Sequence, residues 1–172
     1  IAEEIDSLIV VMGVHNIHDR RGLKVLKGSS VPFVLINKPP KRDNYAEMVV
    51  PMDEDKKNRV QLNWVINMSK YYNVNVDIIK PFINSNVKKE KMKDQLFFYK
   101  KNLEAKEIVY GVRTSKRDEG FSKAIFDFAE EIDSDMVLVM SHKFKEYIKG
   151  LKEHNTAILA LNPKKAKLGG FN

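Results

Sequence analysis

Two short segments carry the side chains whose types could do chemistry. The first is Pro51-Met52-Asp53, and Glu54 and Asp55 follow it, so that three carboxylates stand in a row. The second is Met140-Ser141-His142-Lys143, which brings a hydroxyl, an imidazole and an amine together. A run of carboxylates could bind Mg²⁺ or act in general acid–base catalysis. Both segments are therefore candidate ligand-binding residues.

Each segment also has an ordinary structural explanation. The three carboxylates precede a predicted helix, where they would cap free N–H groups at the positive end of the helix dipole. This role is the one we favour. His142 has no other His or Cys nearby to complete a metal site, which favours a hydrogen-bonded structural histidine and no metal. Ser141 and His142 are neighbours on a predicted strand end, so their side chains point apart and do not form a catalytic pair.

Alternating apolar and amphipathic stretches position these segments. Strands are predicted over 47–51, 74–82, 107–113, 135–140 and 157–161, with helices over 56–72, 87–105, 121–132 and 144–151. This βαβαβαβαβ order predicts an α/β fold, a doubly wound parallel sheet with helices on both faces. Ligands bind such sheets beyond the carboxyl ends of the strands, where the strand order reverses. By that rule, residues 52–55, 113–120 and 140–144 are the segments expected to contact a ligand.

An internal repeat organises the chain. The hexapeptide AEEIDS at 2–7 recurs at 129–134, and the same register aligns Val10 with Val137 and His15 with His142. Further strands are predicted over 7–13 and 32–36, with a helix over 17–27 between them. We therefore expect residues 1–37 to be the βαβ end of a first domain, 38–45 a linker, 46–163 a complete second domain and 164–172 a tail.

Composition excludes several classes of protein. The 172 residues include no cysteine, so there is no disulfide framework or thiolate metal site. A reducing compartment fits this composition, as would others, and a cytoplasmic location is expected. No apolar run reaches the roughly 20 residues that span a membrane. The net charge of +7 comes largely from lysines in 88–101 and 164–167. We interpret these as solvated surface, because no nucleic-acid-binding motif accompanies them.

Three motifs resemble the universal stress protein family. Residues 49–53 (VVPMD) are similar to the family's opening strand, which ends in Val-Pro-x-Asp, and 119–125 (EGFSKAI) resemble the loop into its third helix. Residues 135–142 (DMVLVMSH) resemble its segment Asp-Leu-Ile-Val-Met-Gly-Ser-His. The resemblance covers nearly the whole chain. It implies an adenine-nucleotide alpha-hydrolase-like sheet of five parallel strands in the order 3-2-1-4-5, in a tandem-domain member.

The resemblance also bears on ATP. Family members that bind ATP carry Gly-x-x-Gly, nine residues and then Gly-Ser or Gly-Thr after the fourth strand, because backbone N–H groups must approach the phosphates. Here the two glycine positions are Met140 and Lys143; in the first copy they are Gly13 and Asn16. We therefore expect no cofactor, and a stress-response sensor or adaptor rather than an enzyme. The alternative is a nucleotide-binding member whose phosphate loop is degenerate, and weak ATP hydrolysis stays open.

The last strand is the expected interface. In the family it pairs antiparallel with the last strand of a second domain, and an apolar edge strand needs such cover. The resemblance thus implies self-association, or a pseudo-dimer within one chain, besides an unidentified protein partner. The interface residues are those of the two final strands: Phe33, Val34, Leu35 and Ile36 with Ile158, Leu159, Ala160 and Leu161.

Overall fold

The computed structural model describes residues 9–14, 31–36, 39, 42–150 and 156–161. The strands are β1 Val10–Gly13, β2 Phe33–Ile36, β3 Glu47–Pro51, β4 Asn75–Lys80, β5 Tyr110–Thr114, β6 Met136–Met140 and β7 Ala157–Leu161. The helices are α1 Arg59–Ser69, α2 Asn86–Glu104, α3 Phe121–Glu131 and α4 Ser141–Tyr147, with 3₁₀ turns at Lys56–Asn58 and Ile148–Gly150. From β3 onwards strands and helices alternate, as predicted.

All seven strands lie in one sheet, in the order β1-β2-β7-β6-β3-β4-β5. Every neighbouring pair is parallel except β2 and β7, which are antiparallel. The five strands between residues 47 and 161 lie in the order β5, β4, β3, β6 and β7. The expected five-stranded sheet is corrected to seven strands, because β2 pairs with the edge of β7 and β1 pairs with the other edge of β2.

The second copy of the hexapeptide, residues 129–134, ends α3 and leads to β6. Asp133 has a φ of 52°, a left-handed conformation that Asp tolerates better than most residues. Ser134 N donates to Ala129 O at 2.7 Å and Asp133 N to Glu130 O at 3.1 Å, which together form a Schellman motif. The Ser134 hydroxyl then donates to Glu47 O on β3 at 3.1 Å. The hexapeptide therefore fixes how the chain turns from α3 into β6.

The core has two layers, one on each face of the sheet. On the α1/α2 face the strand residues Met48, Val50, Ile78, Leu138 and Leu159 pack with Leu62, Val65, Met92 and Tyr99. On the α3/α4 face Val49, Ile79, Val137, Val139 and Ile158 pack with Ile125, Phe128, Phe144 and Tyr147. The central strands β3 and β6 are buried on both faces, which explains why their sequences are continuous apolar runs.

Several predicted boundaries differ from the structure. Ser141 and His142 begin α4 and do not end a strand, and the strands predicted over 74–82 and 107–113 are the shorter Asn75–Lys80 and Tyr110–Thr114. Among the described residues, no helix is long and apolar enough to cross a membrane. The first copy of the hexapeptide, His15, Asn16, the helix predicted over 17–27 and the tail over 164–172 lie outside the described residues.

Candidate functional site

The carboxyl ends of β3 and β6 meet at the centre of the sheet, where the strand order reverses. These neighbouring strands pair Met48 with Met136 and Val49 with Val137. Pro51 ends β3, and Met52 continues it by donating its N–H to Ile79 O at 2.8 Å. On the other side β6 ends at Met140 and α4 starts at once with Ser141. The two predicted segments thus lie together at the position where ligands bind in sheets of this kind.

Both oxygens of Asp53 contact groups of the same chain. Oδ1 accepts from the backbone N of Asp55 at 2.8 Å and from Asn58 Nδ2 at 2.6 Å. Oδ2 lies 3.3 Å from Lys143 Nζ. Only 8% of Asp53 is exposed. The carboxylate therefore holds the turn after β3 in place and pairs with the ammonium group across the site.

Lys143 stays charged in this position. Burial acts to lower the pKa of its ammonium group, but the carboxylates of Asp53 and Glu146 outweigh that effect and raise the pKa above its ordinary value. Its Nζ lies 3.5 Å from Glu146 Oε2, three residues further along the chain. The aliphatic part of the Lys143 side chain is thus largely buried, and its charge is already balanced by the carboxylates of Asp53 and Glu146.

The other two carboxylates also have partners. Glu54 Oε1 lies 2.7 Å from Lys88 Nζ, and this hydrogen bond lowers the pKa of the carboxyl group. Asp55 is the N-cap of the 3₁₀ turn and accepts from the backbone N of Lys57 at 3.0 Å. Across the part of the chain that the structure describes, no group of three His, Cys, Asp or Glu side chains is arranged to hold a metal ion. The acidic run therefore works as separate caps and ion pairs.

Two methionines and a tyrosine form the floor of the site. Met52 and Met140 are 0% and 1% exposed, and both belong to the apolar layer on the α1/α2 face. Tyr147 follows Lys143 by four residues and belongs to the apolar layer on the α3/α4 face of the sheet. Burial and the negative charge of Asp53 raise the pKa of its hydroxyl group. Its hydroxyl group therefore remains protonated. The site is closed from below by packed side chains.

His142 is held neutral at pH 7. Partial burial lowers the pKa of its imidazole below 6.5, although Asp55, with Oδ2 at 3.7 Å from His142 Nε2, acts in the opposite direction. The neutral ring carries no charge for an anionic ligand.

We expect this histidine to make the fold more sensitive to acid. Its pKa is lower in the folded than in the unfolded chain, so its stabilising effect is complete above the unfolded pKa of about 6.5 and is lost as the pH falls through the folded pKa. The melting temperature of the wild type should therefore fall more between pH 7 and pH 5 than that of His142→Gln. Thermal melts of both proteins at the two pH values measure this. Parallel pH profiles would contradict it.

Four contributors to the site were missed from the sequence: Asn58, Lys88, Glu146 and Tyr147. Asn58 and Lys88 approach from separate helical segments, and nothing local in the sequence marks them. Tyr147 carried a signal, because it lies four residues after Lys143 and so shares its face of a helix. That signal becomes visible only when α4 is known to begin at Ser141.

The predicted interface residues lie side by side within the chain. The antiparallel pairing of β2 with β7 sets Phe33 opposite Ala160, Val34 opposite Leu159 and Leu35 opposite Ile158. Ile36 pairs with Gly13, and Leu161 with Met140, at the ends of the same two strands. The ring of Phe33 also packs edge-on against Phe144 of α4, with 5.9 Å between centroids. The seam between β2 and β7 is thus part of the core.

Comparisons with known proteins identify this architecture. No family model matches the sequence, and no curated protein matches it. Among solved structures, a universal stress protein from Archaeoglobus fulgidus has a TM-score of 0.71 at 13% identity, covering 93% of this chain and 63% of that chain. One from Burkholderia pseudomallei has a TM-score of 0.57 at 11% identity, covering 70% of this chain and 98% of that one.

A further match is a universal stress protein from Archaeoglobus fulgidus in complex with dAMP, with a TM-score of 0.56 at 14% identity; it covers 67% of this chain and 97% of that chain. This chain spans less than two thirds of the length of the first of these structures. Identities of this size establish the fold alone. The resemblance that the motifs indicated is confirmed at that level: the chain has the fold of universal stress proteins.

Proposed function

We propose that this chain, which has the universal stress protein fold, is a stress-response sensor or adaptor that does not bind ATP and acts through dimerisation or a protein partner. One observation carries the proposal: Lys143 Nζ lies 3.3 Å from Asp53 Oδ2 at the switch point between β3 and β6. The side chain that would meet a nucleotide is already paired with the chain's own lysine.

The local charge supports this proposal. In the ion pairs at the site, the four carboxylates of Asp53, Glu54, Asp55 and Glu146 face two ammonium groups, those of Lys88 and Lys143. The remaining partner is His142, whose lowered pKa keeps it neutral. Phosphate groups would add further negative charge to a site that has more carboxylates than cations. Such like-charge contacts disfavour binding.

The backbone between β6 and α4 also supports the proposal that the chain does not bind ATP. A phosphate loop exposes successive N–H groups that no other backbone group uses. Here the chain enters α4 directly after β6, so that the N–H groups after the first turn are bonded within the helix. Met140, which occupies the first of the two glycine positions, is buried in the core. Free N–H groups are thus confined to the first turn of α4, and Lys143 is already paired with Asp53.

We expect calorimetry with Mg-ATP to detect no binding tighter than about 1 mM, which corresponds to about −4 kcal/mol. AMP, dAMP and cAMP are titrated in parallel, and Lys143→Ala serves as the matched variant. The proposal requires that neither protein binds these nucleotides. Micromolar affinity of the wild type, about −8 kcal/mol, would overturn it.

The competing proposal is a nucleotide-binding protein with a degenerate phosphate loop. It is favoured by structural neighbours that were solved in complex with dAMP and with cAMP. Asp53, Ser141 and Lys143 would then contact the ligand, with Pro51, Met52, Met140 and His142 around it. In that case the wild type binds and Lys143→Ala loses at least tenfold in affinity, since the amine would contact phosphate directly. The same titrations therefore separate the two proposals.

We also propose that the chain contains parts of two repeats, with 1–37 ending a first domain and 46–163 forming a second. The repeated hexapeptide supports this division. So does the sheet, in which β1 and β2 form a parallel pair, as β6 and β7 do, and the two pairs join antiparallel at β2 and β7. Two parallel pairs joined antiparallel in this way are the arrangement expected of a pseudo-dimer within one chain.

A further inference from the structure

The side of the molecule formed by α2 and β5 holds most of the excess positive charge of the chain. Residues 86–117, from the start of α2 to the loop after β5, contain ten Lys and Arg but only four Asp and Glu. The difference of six compares with a net charge of +7 for all 172 residues. A surface with such an excess attracts acidic partners.

The same side of the molecule presents a free strand edge. β5 is the last strand of the sheet, and within the described part of the chain no strand pairs with its outer side. The carbonyl of Val109 and the N–H of Ser115 both bond to β4, at 3.0 and 2.9 Å. Because the direction of these groups alternates along a strand, the N–H and C=O groups of residues 110, 112 and 114 point outward. They are available to a further strand.

Apolar side chains lie exposed around this edge. Val112, in the middle of β5, is 40% exposed, and Phe97 of α2 is 70% exposed. Lys100 Nζ lies 5.9 Å from the centroid of the Tyr110 ring, which places this side of α2 beside β5. Phe97 precedes Lys100 by three residues and therefore lies on the same side of the helix. Exposed apolar surface next to an open strand edge is a place where a partner docks.

Three lysines of α2 form a stripe beside the edge. Lys89, Lys93 and Lys100 are separated by four and seven residues, so they follow one side of the helix. Two carboxylates lie near them. Glu90 Oε1 is 3.6 Å from Lys93 Nζ in an exposed pair that contributes little, and Glu104 accepts from the tyrosine hydroxyl at the start of β5 at 2.5 Å. The lysine stripe can therefore receive carboxylates of a partner without breaking a buried ion pair.

We infer that the outer edge of β5 and the lysine stripe form the docking surface for an extended, acidic segment of a protein partner, which joins the sheet as an additional strand. Its main chain pairs with residues 110, 112 and 114, its apolar side chains pack against Val112 and Phe97, and its carboxylates contact Lys93 and Lys100. The inference deepens the proposed function, because it names the surface through which an adaptor acts, and it rests on that proposal for the existence of a partner.

Other occupants use only part of this surface. A second copy that paired its β5 antiparallel with this one would bring both lysine stripes to the same face of the joined sheet, where like charges repel. A nucleic acid would contact the lysines through its phosphates, but it has no regular main-chain donors and acceptors for β5. An acidic strand satisfies the edge, the apolar side chains and the charge together.

Binding of two model peptides to the 172-residue chain tests this inference. The probe is a labelled, capped peptide of alternating valine and glutamate, about six residues long to match one strand, and in its control lysine replaces each glutamate. Fluorescence anisotropy measures Kd. We expect the acidic peptide to bind at least about tenfold more tightly than the basic one. It should also slow hydrogen exchange of the amides of residues 110, 112 and 114 in the unmodified protein.

Two pairs of variants separate strand pairing from general attraction. Val112→Pro removes an outward N–H and is tolerated at a sheet edge, whereas Val112→Thr keeps that group. We expect only the proline to weaken binding of the acidic peptide, by at least about tenfold. Lys93→Ala with Lys100→Ala should weaken it by a similar factor. Lys70→Ala with Lys145→Ala removes the same charge from exposed positions elsewhere and should have little effect.

Several outcomes would overturn the inference. They are equal affinities for the two peptides, no binding of the acidic peptide up to about 1 mM, and equal losses in the two lysine double variants. Binding of a labelled single-stranded RNA that survives Val112→Pro would assign the surface to a nucleic acid, and a concentration-dependent dimer that this variant abolishes would assign it to a second copy. If Val112→Pro does not fold, hydrogen exchange of the unmodified protein decides. None of these readouts involves ATP, so the inference and the absence of ATP binding can fail separately.

Discussion

Replacing Leu159 by lysine is expected to lower the stability of the 172-residue chain by about 3–5 kcal/mol, more than any other single change considered. Leu159 is 1% exposed and pairs with Val34 on one side and Leu138 on the other. A lysine there replaces an apolar side chain between two apolar strands, where its charge has no partner. Leu159 also lines an apolar groove over β1, β2 and β7, through which the end of the lysine chain can reach solvent after an apolar path, and this keeps the cost within this range.

Thermal melts and size-exclusion chromatography measure the effect of Leu159→Lys. We expect the melting temperature to fall by roughly 10 °C. Leu159→Met is the control for shape and should cost less than about 1.5 kcal/mol, since it conserves volume and polarity. Val11→Lys is the control for a charge on the same face of the sheet, and it should be nearly neutral because Val11 is 61% exposed in this chain. A variant Leu159→Lys with an unchanged melting temperature and oligomeric state would show that the seam between β2 and β7 does not stabilise the fold.

The position of the candidate site could be predicted because it follows from chain order. Alternating strands and helices impose parallel pairing with right-handed crossovers, which leaves few topologies. The runs over 47–51 and 135–140 lack the polar alternation of half-exposed strands, which indicated burial on both faces and hence central positions. Pro51-Met52-Asp53 and Met140-Ser141-His142-Lys143 therefore had to meet at the same edge.

The contact between Asp53 and Lys143 could not be predicted, because it depends on where α4 begins. Ser141 was predicted to lie at the end of a strand, yet it is the first helical residue, and Met140 precedes it without a side-chain cap. A start at Ser141 turns Lys143 toward Asp53 and places Tyr147 one turn below it. Helix starts without a polar cap leave no mark in the sequence, so the direction of these side chains stayed undetermined.

The number of strands in the sheet is a second feature that could not be predicted from the sequence. The sequence indicated which strands belong to each repeat, and the resemblance indicated that the final strands of two domains pair. Strand pairing over a separation as large as that between residues 33–36 and 157–161 has no local signature, since each strand only presents apolar side chains and backbone groups. The number of strands in the continuous sheet therefore came from the structure.

Removing the carboxylate of Asp135 is expected to be the second most damaging change, costing about 3 kcal/mol as Asp135→Asn. Asp135 is 8% exposed, and its Oδ2 accepts from the backbone N of Ala46 and of Glu47, at 2.9 Å each. Its Oδ1 accepts from Arg42 at 2.9 Å. The carboxylate therefore ties the end of the linker and the first residue of β3 to the start of β6.

The cost arises because an amide cannot replace this carboxylate. Asparagine has one acceptor oxygen, so its NH₂ group must face a donor, either the two backbone N–H groups or the guanidinium of Arg42. Asp133→Asn is the matched control: Asp133 contacts the same guanidinium at 2.5 Å but its side chain is 58% exposed. That exposed pair should contribute less than about 1 kcal/mol, and asparagine tolerates the left-handed conformation as well. Chemical denaturation of both variants gives the comparison, and equal losses for Asp133→Asn and Asp135→Asn would mean that the buried hydrogen bonds to β3 do not hold the linker in place.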